Sequence, residues 1–94
     1  MSRRMTITVG HERGNDYLVT TEDDRGGTTS HVVTVWPSDV ERYAPGADPE
    51  ELLQAAFEFL LAREPAQAIL RRFELPTIER YFPEFPQAMA ARFA

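Results

Sequence analysis

The sequence predicts an α+β fold: a three-stranded antiparallel meander followed by one long central helix and several short Pro-initiated helices. Three observations carry this. Apolar and polar residues alternate with period two from Met5 to Trp36, the pattern of half-buried strands. The clearest helix start, Asp48-Pro49-Glu50-Glu51, lies after that alternation ends. Prolines at 65, 76, 83 and 86 then divide the remainder into pieces too short for anything but brief helices.

The strand runs are Met5 to Val9, Tyr17 to Thr21 and Val32 to Trp36. Gly10 to Asn15 and Glu22 to Gly27 join them as polar, glycine-bearing connectors of hairpin length. Alternation puts Met5, Ile7, Val9, Tyr17, Val19, Val33 and Val35 on one face, toward the helices. The other face is mostly Thr, with three apolar exceptions: Leu18, Val32 and Trp36. A one-sided sheet turns polar residues to water, so these three are the candidate partner-binding residues.

Ser38-Asp39-Val40-Glu41 has capping-box spacing and opens a short helix that Ala44-Pro45-Gly46 ends. Asp48 caps the central helix, expected over 49–64, with Pro49 at its first position and Glu50 and Glu51 at the positive end of its dipole. Leu52, Leu53, Ala55, Ala56, Phe57, Phe59, Leu60 and Leu61 leave it apolar around most of its circumference, which places it centrally or against a second chain. Short helices are expected near 65–73, 76–82 and 86–93, folded back by Phe73, Leu75, Ile78, Tyr81, Phe82, Phe85, Met89 and Phe93. Residues 1–94 form one domain in this reading, a β part over 1–37 and a helical part over 38–94, because three strands alone cannot bury a stable core.

Composition narrows function by exclusion. The net charge is −5, from ten arginines and no lysine against fifteen acids. Spread negative charge opposes loose binding to nucleic acid and to anionic membranes. No cysteine means no disulfide, thiolate nucleophile or thiolate metal site, which suits a cytoplasmic location. Met1 to Thr8 lacks the apolar run of a secretory leader.

The chemistry-bearing groups do not converge. His11, in a connector, and His31, at a strand edge, have no neighbours at metal-ligand spacing. Glu22-Asp23-Asp24 lacks the alternating acids of a calcium loop and suits a solvated turn. No nucleophile elbow, phosphate-cradling loop or dinucleotide fingerprint occurs. The expectation is a protein that is not an enzyme and uses no cofactor or metal.

Residues 66–82 resemble a helix-turn-helix, with Glu74 where the turn usually has glycine. In that alternative Arg71, Arg72 and Arg80 contact phosphate and the protein is a DNA-binding regulator. Residues 17–61, with a Tyr-bearing strand, an acidic Gly turn, a further strand and Gly46 to Leu53 opening an Ala-rich helix, resemble the ββα core of antitoxins of the HicB type. That likeness implies binding and neutralising a small RNase, often with autoregulation. The segments Phe57 to Pro65, Ile69 to Leu75 and Ile78 to Glu84 are similar to a group of small bacterial α+β proteins of unassigned function, a likeness that implies no catalytic residues. The leading expectation is a small non-catalytic cytoplasmic protein-interaction module, self-associating or bound to a protein partner.

Overall fold

The computed structural model describes residues 4–94, so Met1, Ser2 and Arg3, part of the stretch read as lacking a leader, lie outside the described residues. The fold is α+β. Three strands, β1 (Met5–Arg13), β2 (Asp16–Asp23) and β3 (Thr28–Thr34), form the expected antiparallel meander. A fourth, β4 (Arg72–Glu74), corrects the three-stranded expectation: it pairs parallel to β3 and makes the sheet mixed, in the order β1-β2-β3-β4. The helices are α1 (Pro37–Tyr43), α2 (Pro49–Leu61), α3 (Thr77–Tyr81) and α4 (Phe85–Arg92).

The hairpin turns are tighter than the connectors suggested. β1 runs on past His11, with a register irregularity before Arg13, and Gly14 takes a φ of +54° in the two-residue turn. Asp23 builds the next turn: its Oδ1 accepts from the amides of Arg25 (2.9 Å) and Gly27 (2.7 Å). One acid of that cluster, Asp23, organises the turn backbone.

The caps follow the sequence with one exception. Asp48 Oδ1 accepts from the amide of Glu50, and Glu51 reaches back to the amide of Asp48, so the box at α2 forms as expected. At α1 the cap is Trp36, two residues before Ser38, and Asp39, not Glu41, returns a carboxylate oxygen to the amide of Trp36 at 2.9 Å. α2 closes at Leu61, short of Glu64, in a turn that bonds the amides of Arg63 and Glu64 to the carbonyl of Leu60.

The inner sheet face is as alternation predicts: Val19, Val33 and Val35 are buried, and Ile7, Val9 and Tyr17 are partly buried against the core. α2 packs on β1 and is flanked by α1 and α4. Leu52, Leu53, Ala56 and Phe57 are buried, so the broad apolar girth of this helix is consumed within the chain. Phe59 meets both Phe82 and Phe85 edge-on, and Tyr43 packs on Phe85. Tyr81, expected to fold the C-terminal segment back, is instead 67% exposed.

Candidate functional site

The outer face of the sheet leaves apolar surface uncovered. The helices all lie on the other side, so β2 and β3 present their even-numbered residues to solvent. Register aligns Gly10, Leu18, Val32 and Arg72 in one row across all four strands. Leu18 is 37% exposed and its cross-strand neighbour Val32 is half-buried. Trp36 continues the same parity beyond β3 and is 47% exposed, unusual for so large an apolar side chain. The three residues singled out from sequence therefore share one open face.

Polar side chains bracket this patch. Thr34 donates to Asp16 Oδ1 at 2.6 Å, and the other carboxylate oxygen of Asp16 stands 4.0 Å from Arg72 Nη1. The indole N–H of Trp36 donates to Glu74 Oε1 at 3.2 Å. Strand β4 thus fixes one side of the patch, although Arg72 and Phe73 were expected in a helix.

The helix-turn-helix over 66–82 does not form. Ala66–Ala68 make a single turn of 3-10 helix, Ile69 swings to an extended ψ of 135°, and Arg72–Glu74 are strand. Arg71 and Arg72 consequently do not sit on a helix beside Arg80. Arg72 projects from the outer face toward Asp16, whereas Arg71 and Arg80 are exposed and, among the described residues, have no ion-pair partner.

Sequence reasoning missed a second apolar feature, on the other side of β4. A cavity of about 140 Å³ lies among Leu60, Ile69, Leu70, Phe73, Ile78 and Tyr81. Drug-sized ligands need roughly 300–1,000 Å³, so it has room for a side chain rather than a substrate. Leu70, 47% exposed, and Tyr81 form its rim. The only signal in the sequence was a leucine one residue away from alternation with Phe73 and Leu75.

His31 corrects the expectation of a strand-edge residue, being 2% exposed on the inner face. Its Nδ1 lies 2.7 Å from the carbonyl oxygen of Leu70, and a carbonyl only accepts, so Nδ1 carries a proton. Thr29 Oγ1 meets Nε2 at 2.8 Å and in turn bonds Thr21 Oγ1. Thr29 and His31 have the spacing of a nucleophile and its base, but Phe57 covers the imidazole and the chain of bonds ends on backbone. The arrangement ties β2 and β3 to the segment leading into β4. His11 is exposed and bonds the Gly14 carbonyl across its own turn.

A further cluster joins helices. Tyr43 donates to Glu79 Oε1 at 2.8 Å, and Arg42 pairs with the same carboxylate. Burial first, then the hydrogen bond to Glu79, pushes the Tyr43 phenol well above its ordinary value. Among the described residues no three His, Asp or Glu side chains converge as a metal site, and no helix is long and apolar enough to cross a membrane. Compared with family models, curated proteins and solved structures, the chain matches none.

Proposed function

We propose that this protein is a non-catalytic protein-interaction module whose docking surface is the outer face of the sheet. The observation that supports it is the placement of exposed apolar side chains. α2, with its broad apolar girth, is covered from within, yet Leu18 and Trp36 stay exposed, with half-buried Val32, on the outer face, which no element covers among the described residues. Leaving these groups in water costs free energy that covering them would recover. A binding role accounts for it: apolar anchors at the centre, with Asp16, Arg72 and Glu74 as a polar rim.

The test is paired affinity purification from the native host, using the wild type and the Leu18→Glu/Trp36→Ala double variant. The module reading predicts a protein that co-elutes with the wild type and is lost from the double variant, while Glu41→Ala, an exposed position of α1, retains it. Identical co-eluting sets from wild type and double variant would remove the outer face as the docking surface.

A further inference from the structure

β4 is an edge strand whose free side is self-complementary. Its bonds to β3 engage the carbonyl of Arg71, which accepts from Val32 at 2.8 Å, and the amide of Leu75, which donates to Thr34 at 3.0 Å. In a strand the amide and carbonyl of one residue point the same way, and the direction reverses at the next residue. Residues 71, 73 and 75 therefore face β3. Arg72 and Glu74 turn their amides and carbonyls away from it, and no turn or loop bond engages them among the described residues. An uncovered edge of this kind is a template for another strand.

We infer that this edge pairs with the same edge of a second copy of the chain, antiparallel, about a two-fold axis through Phe73. Such a contact is isologous, so residue i meets j and j meets i. With Phe73 opposite Phe73 of the second copy, Arg72 of each chain stands opposite Glu74 of the other. Each of these opposed pairs exchanges both backbone hydrogen bonds, so all four free amides and carbonyls are satisfied in one register. The side chains agree with the backbone, because an opposite charge directly across an antiparallel pair is favourable and a like charge is not. A parallel pairing, or a shift by one residue, loses this match. The same axis brings Leu70, Tyr81 and the cavity they rim to the seam on the helix side, and Trp36 beside the Arg72 of the other chain on the outer side. Two four-stranded sheets become one, and the two open faces become a single continuous surface.

This inference rests on the interaction-module reading for its meaning but fails separately from it: Arg72 and Glu74 also rim the outer face, yet the readout here is the mass of the purified chain with no partner present, whereas that reading is tested by what co-elutes with it. The test is sedimentation equilibrium of the full chain over micromolar to millimolar concentrations, with far-UV circular dichroism as the folding control. The wild type should shift from 10.7 kDa toward twice that mass. Arg72→Glu places two acids across each pair, and Glu74→Arg places two arginines there. Each variant alone should associate at least tenfold more weakly than the wild type. Mixed in equal amounts the two should recover a heterodimer, because every opposed pair then joins Glu to Arg. The Arg72→Glu/Glu74→Arg chain should recover the homodimer. A wild type at 10.7 kDa throughout overturns the inference. So does a dimer that the single variants leave unchanged, or single variants that fold yet do not associate when mixed.

Discussion

The imidazole of His31 donates from Nδ1 to the carbonyl oxygen of Leu70, 2.7 Å away and 39 residues further along the chain. This bond joins the inner face of β3 to the residue that rims the cavity and precedes β4. His31→Ala leaves that carbonyl without its side-chain partner and the Thr29 hydroxyl with Thr21 alone. The expected loss is about 1–3 kcal/mol in urea denaturation. Amide exchange at Val32 and Leu75, which hold β4 in place, should accelerate more than exchange between β1 and β2.

Tyr43 sets the alkaline limit. Burial and the bond to Glu79 raise its pKa above the ordinary value of 10.0, so the fold favours the neutral phenol. A group raised in the folded state contributes stability that is complete below the unfolded pKa and is lost as pH climbs through the folded value. Stability should therefore fall above about pH 10. Tyr17, raised by burial and by Asp48 and Glu50, adds a change of the same sign. Tyr43→Phe, compared with the wild type by urea denaturation at pH 8 and pH 11, should lose the smaller amount of stability between the two.

Glu58 acts at the other end of the scale. Arg92 donates to it at 2.6 Å and Gln54 at 3.1 Å, and these bonds hold its pKa below the ordinary 4.5. Its contribution is present above that ordinary value and is lost as pH falls through the lower folded one. Both partners are well exposed, so the pair contributes at most about 1 kcal/mol. Glu58→Gln should flatten the acid limb of the stability profile below about pH 4.5 and weaken as a distinction in high salt.

Core and open face should respond oppositely to truncation. Phe57 is fully buried against His31 and Phe73, and Phe57→Ala should cost about 3–5 kcal/mol. Leu18→Ala, on the open face, should stay within about 0.5 kcal/mol of the wild type in the same denaturation experiment. A Leu18 variant as damaging as the Phe57 variant would mean that the outer face is internal structure.

What the sequence showed was local. Asp48 caps α2 because the acid, the proline and Glu51 are contiguous, and the inner strand face follows from parity that each residue carries by itself. β4 escaped notice because it is three residues long and its partner strand lies about forty positions earlier. Nothing in Arg72-Phe73-Glu74 alternates long enough to outweigh the helical look of Ala66-Gln67-Ala68. The apolar run begins at Val32, which puts His31 at a strand edge, whereas β3 begins at Thr28 and carries His31 inward in step with Val33 and Val35. The bonds to Thr29 and Leu70 that resolve this are tertiary. The candidate outer-face residues were legible for the opposite reason: Leu18, Val32 and Trp36 broke a local pattern. Which apolar surface remains open depends on where every helix docks, and so the exposure of Tyr81 was not legible.

The most direct measurement is hydroxyl-radical footprinting of the protein in its native lysate against the dilute purified chain. The account predicts that Trp36 and Leu18 oxidise more slowly in the lysate, while exposed side chains on the helices, such as Glu41, keep their rates. Equal oxidation of Trp36 and Leu18 in both samples would contradict it, because an open apolar face that nothing covers in its own setting is not a docking surface.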